Sequence, residues 1–459
     1  MKPNLIVILI DDLRFDEFGA GGHPYMKTPH ADRIAREGAL FERAFHTTPI
    51  CSPNRASIVT GQYASRHGII DNVARDAMSH ALPNYHLELQ RLGYETAHIG
   101  KWHMGNDGKP RPGYDHWVAY DGHGRLYDPK LNENGTYVQH KGYITDIMNR
   151  MAVEYLERKR RKPFSLFFAH KAVHPDAFQH ADGTLDLTRQ GGYKPAARHK
   201  DLYKGCVFPK KPNMLSPAEV VRQKPAWADA FGIKRTAQSK AILASLHAGD
   251  QEEIRLRAAM MASVDEGIGM IFETLERTGR LDDTMIVFLG DNGYFFGEHG
   301  LGPERRFAYE EGIRSPFAVR YPRRIKAGTR VGELVICQDI APTMIELAGG
   351  KPGAQIQGRS FLPLFAKKRK PWRKSILVEY WAEQAMPWLV SMTYKSVRTD
   401  RYKLIHWVNR GRAGELDELY DLEKDPFELK NLIASRAHAP VREKLRRDLR
   451  RLVAEAVGL

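Results

Sequence analysis

Four apolar runs in this chain of 459 residues each end in groups that carry or exchange charge. "NLIVILI" (4–10) runs into Asp11 and Asp12, and "YETAHIG" (94–100) into Lys101 and His103. "FSLFFA" (164–169) runs into His170 and His174, and "MIVFLG" (285–290) into Asp291 and Asn292. Asp11, Asp12, Asp291 and Asn292 offer only oxygen ligands, three of them anionic. Such a set suits hard ions such as calcium or magnesium rather than zinc. Three carboxylates converging on one spot repel one another without a cation, so a bound divalent ion is expected. Arg55, Lys101, His103 and His174 add positive or protonatable donors, and with a metal they describe a pocket for sulfate or phosphate. Cys51, one of three cysteines, stands in "ICSPNRASIVTGQYASRHG" (50–68), just before a helix predicted over 54–61. A helix N-terminus favours negative charge, so position 51 is placed to aim a nucleophile at an anionic ester.

The elements that position these groups follow from patterning. Continuous apolar strands are buried on both faces, as in parallel sheets covered by helices. Helical patterns at 30–38, 54–61, 144–159 and 253–278 lie between the strands, and the alternation predicts a doubly wound α/β domain. Ligands bind beyond the carboxyl ends of such strands, which brings the four polar clusters to one sheet edge. Helix capping accounts for one strand-end aspartate, not for four such ends. Residues 176–250 are polar and poor in apolar runs, and read as a lid, a binding insertion or a partly disordered stretch. After them, "KSVRTDRYKLIHW" (395–407) alternates as antiparallel strands do, "ELYDLEKDPFELKNL" (418–432) reads as strand, turn and helix start, and 440–459 as a basic amphipathic helix. The boundary falls near 365–370, dividing 1–366 from a smaller unit, 367–459.

Composition narrows the functional classes. Lys and Arg number 70 against 55 Asp and Glu, a formal net charge of +15. A basic surface attracts nucleic acid, anionic lipid or acidic polysaccharide. The clusters "RKRRK" (158–162) and "KKRKPWRK" (367–374) lack interleaved aromatics and match no nucleic-acid-binding signature. Three scattered cysteines make neither a disulfide framework nor a zinc pattern. "LIVILI" falls far short of the ~20 apolar residues of a membrane span, and it lacks a signal peptide's basic flank and cleavage site. The chain is therefore expected to be periplasmic or secreted if a leader has been removed, and cytoplasmic otherwise.

"CSPNR" fits C-x-P-x-R and resembles the signature of the type I sulfatases of the alkaline phosphatase superfamily. The resemblance runs through "KPNLIVILIDDLRFDEFGAGG", "GYETAHIGKWHMG", "HKAVHPD", "FLGDNGYFFGEHGL", "RRFAYEEGIRSPFAVRYP" and "YDLEKDPFELKNL". It implies an α/β fold with a large mixed, mostly parallel sheet sandwiched by helices. A smaller C-terminal α+β subdomain carries an antiparallel sheet. It also implies that a formylglycine-generating enzyme converts Cys51 to Cα-formylglycine, whose hydrate attacks sulfur. Asp11, Asp12, Asp291 and Asn292 would hold Ca²⁺ together with residue 51, and Arg55 would stabilise the nucleophile. Lys101 and His174 would bind sulfate, His174 would protonate the leaving oxygen and His103 would take the second hydroxyl proton, two roles open to exchange. The family's lysine four residues before the Tyr of "YEE" is here Arg305. Its planar, permanently charged fork keeps sulfate binding but cannot donate a proton.

These readings converge on a calcium-dependent sulfatase acting on a sulfated carbohydrate. The alternatives are a broad arylsulfatase, a phosphonate monoester or phosphodiester hydrolase of the same superfamily, or a silent polyanion-binding protein. Specificity is expected in 104–143, 176–250 and the C-terminal unit, with Asp107, His123, Arg125 and Trp381 as possible substrate contacts.

Overall fold

The computed structural model describes residues 2–186, 188–189, 191–224, 250–302, 304–366, 371–383, 392–408 and 416–458. Its centre is the strand Asn4–Ile10, in which Leu5 to Ile10 are all buried. That strand pairs in parallel with Phe164–His170 on one side and Thr284–Gly290 on the other. Glu95–Gly100 and then His116–Ala119 extend the sheet in parallel, and an antiparallel pair, Lys130–Glu133 and Thr136–Gln139, closes that edge. Beyond Thr284–Gly290 come Phe317–Arg320 and Ala39–Phe41, both antiparallel steps, and then Thr329–Val331. The result is a ten-stranded mixed, mostly parallel sheet.

Alternate side chains of the central strand explain the layers. Ile6, Ile8 and Ile10 pack with residues of the helices Pro29–Arg36, Ile144–Glu157 and Gln251–Arg277. Leu5, Val7 and Leu9 pack with the helices Cys51–Thr60, Tyr85–Arg91 and Ile340–Leu347. The sheet therefore lies between two helical layers, as the apolar runs predicted.

A second sheet of four antiparallel strands follows: Ser375–Tyr380, Tyr394–Thr399, Tyr402–Trp407 and Glu418–Asp421. The helix Ala439–Val457 buries Leu445, Leu449, Leu452 and Ala456 in the same apolar cluster, positions that recur at helical spacing. The cluster also takes in Ile50, Phe295, Tyr309 and Ile313 from around the large sheet's polar edge, so the small unit braces that edge. The boundary expected at 365–370 lies largely outside the described residues, as does 225–249 of the expected insertion.

Two local expectations change. The helix predicted over 54–61 begins at Cys51, because Pro53 falls in its first turn, where a missing N–H costs no intrahelical bond. No helix starts within 418–432; turns follow the strand, Glu428 takes a left-handed backbone with φ 52°, and the helix waits for Ala439, with Pro440 in its first turn.

Candidate active site

The polar strand ends are stitched to one another by the backbone. Asp11 N–H donates to Ala172 O (2.9 Å), Val173 N–H to Asp11 O (2.7 Å) and Asp291 N–H to Ile10 O (3.0 Å). Asp12 N–H donates to Asp291 Oδ1 at 2.9 Å. Lys101 N–H donates to Ala169 O at 2.8 Å. The glycine before it is obligatory: Gly100 has φ 123°, and a Cβ there would stand 1.8 Å from Ala169 O. Asp12 and His103 are held in the left-handed region, at φ 58° and 53°, a conformation that costs on the order of 1–3 kcal/mol outside glycine.

One turn of helix delivers the remaining groups. Cys51 and Arg55 are four residues apart in Cys51–Thr60 and share a face. Cys51 Sγ lies 3.6 Å from Asp11 Oδ1 and 4.0 Å from Asp12 Oδ1. Arg55 Nε donates to Asp291 Oδ2 (2.7 Å) and Nη1 to Lys101 O (2.5 Å), while Nη2 stands 3.7 Å from Asp11 Oδ1. Asn54 Nδ2 donates to Asp291 O at 2.6 Å and Ser52 Oγ to His103 O. The spot expected to hold a nucleophile thus faces the carboxylates directly. Burial pushes the Cys51 thiol far above its usual range, and neighbouring carboxylates add to this, so the sulfur is protonated and a poor nucleophile.

The carboxylates do not stand alone. Asp11 meets Lys101 Nζ at 2.5 Å, Asp291 meets Arg55, and Asp12 Oδ2 meets Arg305 Nη1 at 3.0 Å. Mutual repulsion, the reason first given for a metal, is therefore already relieved by three side-chain cations. The donor set still fits an ion. Single ligand atoms of Asp11, Cys51 and Asp291 lie within 4.8 Å of one another, as do those of Asp12, Cys51 and His174. Among the described residues the buried Asn292 Oδ1 has no hydrogen-bond partner, although its Nδ2 donates to Asp12 Oδ1 at 2.7 Å. An orphaned carbonyl oxygen beside carboxylates is a hard-cation ligand by type. Burial also raises the Asp11 carboxyl, a cost that a divalent ion would offset.

Three imidazoles line the opposite side. His123 packs between His103 and His174, with ring centroids 4.2 and 4.4 Å apart. His174 Nδ1 donates to Pro175 O at 2.7 Å, since a carbonyl only accepts, so Nε2 faces the site, 3.5 Å from Arg305 Nη2. Lys101 Nζ donates to His123 Nδ1 at 3.2 Å. Neither ring nitrogen of His103 has a hydrogen bond of good geometry among the described residues. Burial first, then Lys101 and its neighbours, holds all three rings well below the usual imidazole range. Arg305, with a side chain 13% exposed, is the most open of these groups, which places the entrance on its side.

Asp11, Asp12, Cys51, Arg55, Lys101, His103, His174, Asp291, Asn292 and Arg305 are thus gathered in one place, and His123 joins them. Asp107 stands apart, in a pair with Arg111 (2.7 Å) and beside His80 (3.3 Å). His170 packs on Phe168 instead of facing the site. Trp381 follows the strand Ser375–Tyr380 of the small sheet and lies under Lys395, whose Nζ is 3.8 Å from its ring centre. Arg125 is exposed, its guanidinium carbon 5.3 Å from the centre of the Phe178 ring.

Sequence reading missed Lys171 and Arg257. Lys171 is buried at this edge, donates to Pro175 O at 3.0 Å and is pushed down to about 8 by burial and Lys101. Arg257 donates to Asp12 O (2.6 Å) and pairs with Glu17 (2.6 Å), all fully buried. It fastens the strained Asp12 backbone, so Arg257→Met should cost about 3–5 kcal/mol by stranding the Glu17 charge. Denaturant titration, with Arg257→Lys as the milder comparison, checks this. A loss below about 1 kcal/mol would remove the bracing role.

Comparison with known proteins agrees with the geometry. The sulfatase family model matches residues 3–350, and the model for the C-terminal part of N-sulphoglucosamine sulphohydrolase matches 297–455. An N-acetylglucosamine-6-O-sulfatase of Bacteroides thetaiotaomicron is 30% identical, over 97% of this chain and 85% of its own. The N-acetylglucosamine-6-sulfatase of Capra hircus is 26% identical, over 95% and 80%. A solved structure of a protein with its substrate D-glucosamine-2-N,6-O-disulfate superposes with a TM-score of 0.82 at 28% identity, covering 100% of this chain and 98% of that one. The phosphonate monoester hydrolase of Agrobacterium radiobacter shares the fold, with a TM-score of 0.74 at 22% identity over 99% and 96% of the chains. With the strand-end oxygens, the C-x-P-x-R helix and these likenesses together, this chain belongs to the sulfatase family and is a sulfuric ester hydrolase.

Proposed function

We propose that this enzyme removes sulfate from a sulfated carbohydrate, with residue 51 as formylglycine and calcium in the oxygen cluster. The observation that carries this reading is the placement of Cys51. It is fully buried, 3.6 Å from Asp11 Oδ1, on one face with Arg55, and unfit to react as a thiol. The formylglycine hydrate would supply an oxygen nucleophile and calcium the charge that activates it and steadies the sulfate oxygens.

Asp11, Asp12, Asp291 and Asn292 would hold the ion, and Arg55 holds Asp291 in register with Lys101 O. Lys101 and Arg305 are cations at the site, and a sulfate ester would draw both from their present carboxylates towards its oxygens. His174 turns Nε2 to the site with Nδ1 anchored on Pro175 O; its ring, held neutral by burial and the nearby cations, would take up the proton it passes to the leaving oxygen once the sulfate's negative charge is bound beside it. His103, which stacks on His123 and among the described residues has only Gln179 beside its ring nitrogens, suits the second proton transfer. Arg305 keeps its proton, because the charges of Asp12 and the site hold its guanidinium above the already high arginine range. A carbohydrate substrate is supported by the two glucosamine-sulfate relatives and by the net charge of +15. The test is sulfate release from defined sulfated mono- and oligosaccharides, with calcium, by protein made alongside a formylglycine-generating enzyme. We expect a 6-O-sulfated glucosamine to be among the substrates; faster turnover of a phosphodiester of the same alcohol would overturn the reading.

A further inference from the structure

The short run "DGHGR" (121–125) turns a histidine inward. Gly122 and Gly124 both take left-handed backbones, at φ 51° and 62°, and a Cβ on Gly122 would stand 2.6 Å from Asn106 Oδ1. Gly122 N–H donates to Asn106 O (2.8 Å) and Leu126 N–H to Asp176 Oδ1 (2.8 Å), which ties the turn to the segments after His103 and His174. His123 is in consequence only 4% exposed, although Asp121 and Arg125 on either side are open to solvent. Its ring lies between those of His103 and His174, tilted 42° from the first and 23° from the second. Among the described residues the ring has one hydrogen-bond partner, the Lys101 ammonium, with Nζ 3.2 Å from Nδ1. An ammonium only donates, so Nδ1 presents its lone pair and the ring proton sits on Nε2.

Lys101 needs such a partner. Its backbone is fixed, with N–H donating to Ala169 O at 2.8 Å and O accepting from Arg55 Nη1 at 2.5 Å. Its side chain is a point charge on a flexible four-carbon stem, so the direction of its N–H groups comes from the acceptors around Nζ. Among the described residues these are Asp11 Oδ2 at 2.5 Å and His123 Nδ1 at 3.2 Å. A sulfate ester that draws the ammonium from Asp11 leaves His123 as its remaining side-chain acceptor. A neutral nitrogen suits that task better than a carboxylate. It fixes one N–H direction without competing for the charge that sulfate requires, and the other two protons stay free for sulfate oxygens.

We propose that His123 is a positioning residue whose Nδ1 aims the Lys101 ammonium at the bound sulfate. This rests on the reading above that gives Lys101 a sulfate to bind, and adds the group that directs it. Asparagine places an oxygen close to where the imidazole has Nδ1. Glutamine fills more of the ring's space but carries its oxygen one bond further out. Inorganic sulfate is titrated calorimetrically, with calcium present, into unconverted Cys51 protein, so no turnover is needed. Loss of one charge-assisted hydrogen bond predicts binding about tenfold weaker in His123→Ala and His123→Gln, and less than about threefold weaker in His123→Asn. On a Lys101→Met background, His123→Ala should cost less than about twofold, because it acts through the ammonium. If His123→Gln matches His123→Asn, if the losses add in the double variant, or if wild type binds no sulfate, the proposal is overturned. Should His123→Ala not fold, or Lys101→Met bind too weakly to measure, the order of His123→Asn over His123→Gln decides. Turnover by converted protein gives a separate check. His123→Ala should lower kcat/KM equally for an aryl sulfate and a sugar sulfate, since both offer Lys101 the same group. A loss confined to the sugar would make His123 a sugar contact and overturn the proposal. If converted wild type hydrolyses no sulfate ester, the proposed function fails by itself, and sulfate binding still decides the role of His123.

Discussion

Cys51→Ala is expected to release no measurable sulfate from any ester that the converted wild type hydrolyses, a loss of about 10⁴-fold or more, as when a covalent nucleophile is removed. The side chain is fully buried but small, so folding should suffer by only about 1 kcal/mol. That asymmetry between lost turnover and kept stability separates a reacting group from a packing one. Wild type made without a converting enzyme should behave like the alanine variant, because burial holds its thiol protonated beside Asp11 and Asp291. Peptide mass analysis should find an aldehyde at residue 51 in active preparations and a thiol in inert ones. Cys51→Ser sharpens the test. A serine oxygen in this pocket could accept a sulfo group but has no second hydroxyl to expel it, so it should stop after one equivalent of alcohol. Sustained turnover by Cys51→Ala, or full activity in protein whose residue 51 is still a thiol, would remove residue 51 from the chemistry.

What could be read from the sequence follows from what each residue must do. The central strands announced themselves because Leu5 to Ile10 are covered on both faces, which forces a continuous apolar run. The strands Ala39–Phe41, Phe317–Arg320 and Thr329–Val331 were not seen, being three or four residues long and paired mainly through backbone groups that leave no pattern. The first site helix starts at Cys51, three residues before the predicted start at 54, because a proline at position 53 fits a helix's first turn.

The site divides in the same way. Its ligand oxygens and cations stand at strand ends or in a short motif, where an abrupt change from apolar to polar is visible. Arg257 lies in the middle of the long helix Gln251–Arg277, where a charged residue reads as solvent-facing until Glu17 and Asp12 O are found beside it. Lys171 was hidden for a related reason. It follows His170 in a histidine-bearing motif, and nothing local shows that its Nζ and His174 Nδ1 share the Pro175 carbonyl. His123 was a weak candidate by sequence, and only the stacking of three separate loops makes it central. Side chains whose partners are far along the chain are the ones that a local pattern cannot reveal.

The metal is the largest inference that the side-chain pairing leaves open, and its expected signature does not need turnover. With Asp11, Asp12 and Asp291 already facing Lys101, Arg55 and Arg305, the empty cluster can fold, so calcium should add stability rather than be required for it. At a hundred times its dissociation constant, a site-bound ion contributes about 2.7 kcal/mol. The melting temperature of wild type should therefore climb with calcium and fall back with a chelator. Asp291→Asn removes the effect at its source. Asp291 Oδ1 accepts from Asp12 N–H and Oδ2 from Arg55 Nε, and an amide has one oxygen for these two donors. The variant should start about 1–3 kcal/mol less stable, from one buried donor left unmade. It should gain nothing further from calcium, and its turnover should drop by about 10³-fold, as the loss of several kcal/mol of charge stabilisation implies. If calcium leaves wild type and Asp291→Asn equally unmoved, the oxygens at the strand ends serve only to hold Arg55 and Lys101. The sulfate would then be gripped by cations alone, and Asn292 Oδ1 would need another reason to lie buried without a partner among the described residues.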